Sequence, residues 1–312
     1  MHATKYNKIV LAGGSGHLGQ VLAKHFKPLA DQVVILSRSA RPQNGHVQTV
    51  VWDGQHAGDW VQHLEGAALL VNLCGKNVNC RYTEKNKREI LASRITPTLL
   101  LGKTLQQMEQ PPALWINITS ATIYRHAEDR PQDENTGEIG YGFSIDVCRQ
   151  WEEAFFQIPI PHTRKIALRL GIVLSRHDGV FPRLLNLVKC GLGGHQGEGT
   201  QYISWIHEQD VARSIEWLTD HSTQAGIFNC TAPQAMRNRE FMLLLRHAYG
   251  MPVGLPAPAW LLEIGAALIG TETELILKSR WVSPQRLLDA GFPFHYSQAE
   301  YAVHDLLGIV EP

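Results

Sequence analysis

Cysteine is scarce in this chain and never occurs as a CxxC pair. The five cysteines are odd in number and widely spaced. This argues against a disulfide framework or a structural zinc site and predicts reduced thiols in a cytoplasmic protein. The fifteen histidines include no HExxH motif, so no metal site is predicted. The run His207-Glu208-Gln209-Asp210 is better interpreted as a strand end leading into a helix with acids in its first turn.

An excess of charge of either sign is also missing, as is an apolar run of membrane-spanning length. Lys plus Arg and Asp plus Glu number 29 each. We therefore expect a small-molecule substrate rather than nucleic acid or a membrane as the main partner. The opening residues MHATKYNK contain no apolar stretch, so no secretory signal is expected. The stretch Trp260–Gly270 contains Glu263 and is too short to span a bilayer, and we expect a buried helix there.

Short apolar runs rich in valine and isoleucine alternate with helical patterns through the first two thirds of the chain. Uniformly apolar runs are typical of strands covered on both faces, and this alternation predicts βαβ units. The predicted fold is α/β, a Rossmann-type doubly wound parallel sheet. Thr96 and Pro97 are interpreted as the N-cap and first residue of one helix. The predicted strands are Lys8–Ala12, Gln32–Ser37, Val47–Trp52, Ala68–Leu73, Leu114–Thr119 and Lys165–Leu170.

The composition and patterning of the sequence change from about Leu174 onward. A glycine-rich stretch lies around Gly191–Gly199, and helical patterns punctuated by prolines dominate beyond Thr231. We expect a smaller, mostly helical C-terminal lobe that borders the substrate cleft. The predicted division assigns residues 1–175 and 203–230 to a nucleotide-binding Rossmann domain, and residues 176–202 and 231–312 to this substrate lobe.

A glycine-rich turn lies between the first predicted strand and the first helix. Gly13, Gly16 and Gly19 have the spacing G-x-x-G-x-x-G. In a dinucleotide-binding turn these glycines allow the sharp reversal, the approach of the pyrophosphate and the packing of helix on strand. A tight connection without a ligand is the alternative. A nucleophile elbow around Ser15 is disfavoured, because that motif needs glycine where this chain has His17.

The end of the second predicted strand indicates which nucleotide is bound. An acidic residue usually binds the ribose 2′-hydroxyl of NAD there, whereas an arginine accommodates a 2′-phosphate. This chain has Ser37-Arg38-Ser39 with Arg41 nearby and no carboxylate. Because a guanidinium pairs well with phosphate oxygens, we predict NADP(H) as cofactor. A solvated surface arginine is the alternative interpretation of Arg38.

With these features the chain resembles the extended short-chain dehydrogenases/reductases, and within them the NADP-binding "epimerase family protein" subgroup. The resemblance covers nearly the whole chain and depends on the order of several short motifs, each weak alone. They are Val71-Asn72-Leu73-Cys74-Gly75, Ala92-Ser93-Arg94-Ile95, Asp146–Glu152, Ile203–His207, Asn229–Pro233, Arg237–Phe241 and Leu288–Phe292.

The resemblance implies where the cofactor would be held. The diphosphate would lie on the glycine turn and the 2′-phosphate on the end of the second strand. Adenine would be contacted after the third strand and a ribose after the fourth, with one further contact beyond it. The implied residues are Gly13, Gly16, His17, Leu18 and Gly19; Ser37 and Arg38; Asp53 and Gly54; Leu73, Cys74 and Gly75; and Arg81.

The resemblance also implies a Ser–Tyr–Lys catalytic set, and this chain departs from it. Ser120 falls at the serine position. Aligning on Glu152 places Ser144 at the tyrosine position and Cys148 at the lysine position, and neither side chain can replace the phenol or the ammonium group. Tyr141 is the predicted catalytic alternative. Tyr124 and His207 are further candidates in the pocket, and for these two, as for Tyr141, packing or hydrogen bonding is the favoured interpretation. Arg149 could supply a positive charge from a neighbouring position, but an arginine cannot titrate usefully.

The leading functional prediction is an NADP(H)-dependent, epimerase-like oxidoreductase that acts on a small polar substrate. The alternative is a catalytically weak NADP(H)-binding sensor or regulator, with cell division suggested by the names of some relatives. A true sugar-nucleotide epimerase is disfavoured by Ser144 and Cys148. A homodimer is kept open as the assembly.

Overall fold

The computed structural model describes residues 4–40, 42–260, 262–263 and 277–309. Arg41 and most of the helix expected over Trp260–Gly270 lie outside these residues. Within the described ranges, no helix is both long enough and apolar enough to cross a membrane.

Eleven strands occur along the described chain, seven of them in one parallel sheet. The order in that sheet is β10-β6-β5-β4-β1-β2-β3, which confirms the predicted Rossmann-type topology. β8 pairs with β11, and β7 with β9. The strands are β1 Tyr6–Ala12, β2 Ala30–Ser37, β3 Val47–Val51, β4 Leu69–Asn72, β5 Leu114–Ser120, β6 Arg164–Leu170, β7 Ile172–Leu174, β8 Tyr202–Ile203, β9 Trp205–His207, β10 Gly226–Cys230 and β11 Met236–Arg237.

The helices of the described residues are numbered α1 to α8 in chain order. They are α1 His17–Phe26, α2 Glu84–Gln106, α3 Phe143–Phe156, α4 Phe181–Lys189, α5 Glu208–Asp220, α6 Asn238–Tyr249, α7 Gln285–Asp289 and α8 Ala299–Leu307. Two 3₁₀ turns, Asp59–His63 and Ala121–Ile123, follow strands of the sheet.

Helices cover both faces of the large sheet. Leu22 of α1 and Ile215 of α5 pack in the core on one face. Leu101 of α2 and Phe155 of α3 pack in the core on the other. Strands between two helical layers must be apolar on both faces, which explains their unbroken apolar runs.

A further core, separate from those on the two faces of the sheet, is formed by residues from Leu174 onward. Leu174, Phe181, Trp205, Phe241 and Val303 are buried together there, and the elements around this core are mostly helices, as predicted. The exact division into a cofactor domain and a substrate lobe stays a prediction.

The start of α2 was predicted wrongly. The helix begins at Glu84, after Thr83, whose side chain accepts a hydrogen bond from the Asn86 backbone N–H at 3.3 Å. Pro97 lies inside the helix and is buried. A proline in a helix interior costs about 3 kcal/mol, and the packing of α2 on the sheet outweighs this local preference.

Candidate functional site

The turn between β1 and α1 has no room for side chains at two of its three spaced glycines. A Cβ on Gly19 would stand 2.2 Å from the Gly14 carbonyl oxygen, so this position requires glycine. Gly13 has φ +73°, and its Cβ would meet the Cys74 Sγ at 2.8 Å. At Gly16 a Cβ would meet nothing within 4 Å. The turn is therefore packed tightly against neighbouring atoms at Gly13 and Gly19 and is open at Gly16.

The open side of this turn is the N-terminus of α1. Gly16 is the N-cap and provides no side-chain cap, and the first turn contains no acidic residue. The first N–H groups of a helix lack intrahelical acceptors, and the helix dipole is positive at this end. The chemistry of the turn therefore suits an anion such as a diphosphate.

A cavity of about 260 Å³ opens in front of the turn. Six of the predicted cofactor residues line it: Gly13, Gly16, His17, Leu18, Gly19 and Leu73. Five further lining residues were not predicted: Ile118, Val173, Ser175, Asp178 and Gly179. Asp178-Gly179 is a turn signature that is visible in the sequence. The sequence pattern does not indicate that this turn faces the glycine turn between β1 and α1.

His17 ties the glycine turn to two distant segments. Its Nε2 lies 2.6 Å from Glu208 Oε2 and 2.7 Å from Ser175 Oγ. Glu208 opens α5, and Ser175 follows β7. The imidazole therefore holds the far wall of the cavity against the start of α1.

The end of β2 lies directly beside the glycine turn. The Gly13 N–H donates to the Leu36 carbonyl at 2.9 Å, and Trp52 N–H donates to the Ser37 carbonyl at 2.8 Å. Ser37 is buried and Arg38 is exposed. Ser37 and Arg38 therefore stand at the same edge of the sheet as the cavity, next to its lining.

Asp53 and Gly54 form a turn after β3. The Asp53 carboxylate accepts from the backbone N–H groups of Gln55 at 2.8 Å and His56 at 2.9 Å. The His56 side-chain hydrogen bond and these N–H groups lower the pKa of Asp53 to about 2. Gly54 has φ +77°. Asp53 thus organises its own turn, and its contact with adenine stays a prediction.

The residues after β4 continue along the same edge. Burial raises the pKa of the Cys74 thiol to about 12, so the thiol is neutral. Gly75 is exposed and faces the guanidinium of Arg94, whose Cζ would be 3.2 Å from a Cβ on Gly75. Arg81 is exposed just before α2, and its carbonyl accepts from Asn86 Nδ2 at 2.7 Å.

The two predicted catalytic residues lie at different depths. Ser120 is half-buried at the end of β5, where its Oγ accepts from the Thr122 N–H at 3.2 Å. Tyr141 precedes α3 and is 92% exposed. Neither lines the 260 Å³ cavity, and their catalytic roles stay predictions.

Comparison with known proteins decides the family. Residues 9–231 match the NAD dependent epimerase/dehydratase family, and residues 257–306 match a domain of unknown function, DUF1731. The chain belongs to the NAD dependent epimerase/dehydratase family. The predicted resemblance to its extended short-chain dehydrogenase/reductase type is thereby confirmed.

Relatives match over nearly their whole lengths. Epimerase family protein YfhF of Bacillus subtilis is 30% identical over 96% of this chain and 97% of its own. Epimerase family protein SDR39U1 of mouse is 27% identical over 96% and 99%. The crystal structure of human SDR39U1 (isoform 2) with NADPH superposes with a TM-score of 0.86 at 26% identity, covering 97% of this chain and 100% of that one.

Ser144 and Cys148, which the sequence comparison predicts at the family's tyrosine and lysine positions, both lie on α3. Ser144 Oγ lies 3.3 Å from the Tyr82 hydroxyl oxygen. Cys148 is buried one turn further along α3, and burial raises its pKa to about 12. A neutral thiol supplies no positive charge at this position.

Three other side chains considered as substitutes in this family member have structural partners. Tyr124 donates its hydroxyl proton to Asn229 Oδ1 at 3.0 Å, and burial raises its pKa. His207 caps α5, and burial lowers its pKa. Arg149 is exposed, 3.9 Å from Asp146. In the part of the chain that the structure describes, no group of three or more His, Cys, Asp or Glu side chains could hold a metal ion.

Proposed function

We propose that this family member is an NADP(H)-binding, epimerase-like oxidoreductase that acts on a small polar substrate without a Tyr-x-x-x-Lys pair. The observation that carries the proposal is the glycine turn, packed against Gly14 at Gly19 and open at Gly16. Backbone N–H groups at the start of α1 would hold the diphosphate there, beside the cavity that Leu18 and Leu73 line.

The choice of the phosphorylated cofactor depends on the end of β2. Ser37 and Arg38 stand beside the glycine turn, and Arg38 is exposed to receive a phosphate. No carboxylate follows this strand to bind a free 2′-hydroxyl. The human relative solved with NADPH supports the same choice.

The bound cofactor would supply the hydride chemistry, and the protein would supply orientation and proton management. In this proposal Ser120 orients the reacting oxygen of the substrate, and Tyr141 exchanges the proton. The C-terminal lobe would complete the substrate cleft. A cytoplasmic setting is proposed because all five cysteines are free thiols, and a homodimer remains a proposed assembly.

The experiment that tests the cofactor assignment is a titration with NADPH and NADH. Arg38→Ala should weaken NADPH about 10- to 100-fold, since a hydrogen bond to a charged group contributes about 1.5–3 kcal/mol. NADH affinity should change little. Arg88→Ala, which removes an exposed arginine of α2, is the control. Equal losses for both cofactors would refute the 2′-phosphate assignment, and absence of NADPH binding by the wild type would refute the proposed function.

A sensor or regulator is the second candidate. Cys148, predicted to stand at the family's lysine position, is a neutral buried thiol, and Tyr141 is 92% exposed; both observations favour weak catalysis. NADPH oxidation measured across a panel of aldehydes and ketones separates the two candidates. Turnover supports the enzyme; tight NADPH binding with no turnover across the panel supports the sensor.

A further inference from the structure

A groove of about 430 Å³ opens between α6 and α8. One face of α6 is buried in the core that the two helices share, where Phe241, Met242 and Leu245 pack. A second face of α6 lines the groove, because its residues recur three and four positions apart, the spacing of one helix surface. The groove is lined by Glu240, Leu243, Leu244 and His247 of α6, and by Glu300 and His304 of α8.

The middle of this second face is apolar and reaches water. Leu243 is 44% exposed, and Leu244 and Ala248 are half-buried. Glu240 and His247, with the polar side chains of α8, form a rim around them. Apolar surface with a polar rim is typical of protein–protein interfaces, so the groove has the composition of a docking surface.

The polar side chains of this face are placed symmetrically about its centre but differ in kind. Glu240 precedes Leu243 by three residues, and His247 follows Leu244 by three. Glu240 and His247 are thus two helical turns apart, about 10.5 Å along the helix axis. The face offers a carboxylate acceptor at one end, two leucines in the middle and an imidazole donor at the other end.

This arrangement complements itself when two copies of α6 run antiparallel. A two-fold axis that lies between two copies and perpendicular to α6 reverses the direction of the helix. Glu240 of each copy then faces His247 of the other, and the two Leu243 side chains meet near the axis. An imidazole donates an N–H to a carboxylate in both its neutral and its protonated form. Parallel helices would instead bring the two Glu240 carboxylates together, which is unfavourable.

The local contacts of these side chains are compatible with such a pairing. Glu240 Oε2 accepts from the Arg237 N–H at 3.1 Å, within the capping box of α6. This hydrogen bond uses one of the two carboxylate oxygens. On the other wall of the groove, Glu300 lies one helical turn before His304, so α8 offers an arriving helix a second acceptor and a second donor.

We propose that the groove between α6 and α8 is the interface of a two-fold symmetric homodimer, in which α6 of one copy lies antiparallel on α6 of the other. A second copy of this chain is the occupant because the face is self-complementary, with acid against imidazole at both ends and leucine against leucine between them. Among the described residues, none lines both this groove and the 260 Å³ cavity. The proposal is therefore independent of the cofactor assignment.

Analytical ultracentrifugation of designed variants tests the interface. The wild type should form a dimer at about 1–100 µM chain. His247→Glu brings two carboxylates together at both ends of the contact and should weaken the dimer about 100-fold. Leu243→Asp should weaken it similarly. Leu288→Asp, which changes an exposed leucine of α7, is the control and should leave the dimer unchanged.

A double variant tests the antiparallel direction. Glu240→Gln combined with His247→Glu exchanges donor and acceptor, since the glutamine amide donates to the new carboxylate of the other copy. Glutamine also retains the capping box. The dimer should recover about tenfold or more relative to His247→Glu alone. Parallel helices would predict no recovery, because the two new carboxylates would still face each other.

Thermal unfolding and a cysteine variant separate a lost contact from a lost fold. Each variant should unfold at the temperature of the dilute, monomeric wild type. Leu243→Cys, which leaves the polar pairs intact, should give a disulfide-linked dimer under mild oxidation, whereas Leu288→Cys should not. A monomeric wild type, an unchanged dimer in His247→Glu and Leu243→Asp, or equal cross-linking of the two cysteine variants would overturn the proposal, and NADPH binding would be unaffected in each case.

Discussion

Gly19 of α1 faces the backbone of Gly14 so closely that a Cβ on Gly19 would stand 2.2 Å from the Gly14 carbonyl oxygen. The contact fixes the start of the helix against the strand that precedes it. It therefore also fixes where the helix N-terminus points, and hence where a diphosphate can bind.

Gly19→Ala and Gly16→Ala form a matched pair that separates folding from binding. Gly19→Ala forces the turn and helix apart and should lower the free energy of unfolding by about 1–3 kcal/mol, as overpacking does. Gly16→Ala enters open space, so it should leave the fold intact and weaken NADPH binding. Urea unfolding measures the change in the free energy of unfolding, and NADPH titration measures the change in affinity. If Gly16→Ala bound NADPH as the wild type does, the diphosphate position would be wrong.

Ser120→Ala and Tyr141→Phe test the predicted catalytic pair. Removing a group that orients or protonates the substrate should lower kcat about 10²- to 10⁴-fold in any detected NADPH-dependent carbonyl reduction. NADPH affinity should stay unchanged. Tyr249→Phe, which removes another exposed tyrosine hydroxyl, is the control. Wild-type turnover in either variant removes that residue from the catalytic assignment.

The buried Arg169–Glu152 pair joins β6 to α3 and should stabilise the fold. Both side chains are less than a tenth exposed, and Arg169 also donates to the Tyr124 hydroxyl at 2.8 Å. Arg169→Met leaves a buried carboxylate unpaired and should cost about 3–5 kcal/mol in urea unfolding.

Arg125→Met is the matched control for that loss, because Arg125 pairs with the exposed Asp129 at 2.8 Å. This variant should cost less than about 1 kcal/mol. Similar losses for Arg169→Met and Arg125→Met would show that burial does not control the strength of these pairs.

Cys230 makes the stability of the fold depend on alkaline pH. Burial raises the pKa of its thiol from 9.0 to about 12. Between these values the unfolded chain loses the thiol proton while the folded chain keeps it, so the free energy of unfolding should fall as pH rises. The stabilising contribution is complete below pH 9.0 and lost as pH passes about 12.

Cys230→Ala should reduce the slope with which the free energy of unfolding decreases with pH by about 1.4 kcal/mol per pH unit. Urea unfolding at several pH values from 8 to 11, about the range needed to cover the transition, measures the slope. Cys190→Ala removes an exposed thiol and is the control. An unchanged slope in Cys230→Ala would contradict the assignment of the alkaline sensitivity to this buried thiol.

The local pattern of the chain predicted much of the sheet domain correctly. Each predicted strand overlaps an observed one, because a parallel strand covered on both faces must be apolar along its length. The start of α2 could not be predicted in the same way. Thr83 caps it and Pro97 lies in its interior, because the packing of the whole helix outweighs the local preference of proline for a first turn.

The sequence by itself determined the strand, the glycine turn and the helix that follow one another from Tyr6 to Phe26, since these depend on neighbouring residues. Only the tertiary structure decided that Ser175 and Asp178 close the cavity opposite Gly16, and that Arg94 faces Gly75. Those contacts join residues far apart in the chain. They depend on the order of the strands and the packing of the crossover helices, which periodicity and spacing do not encode.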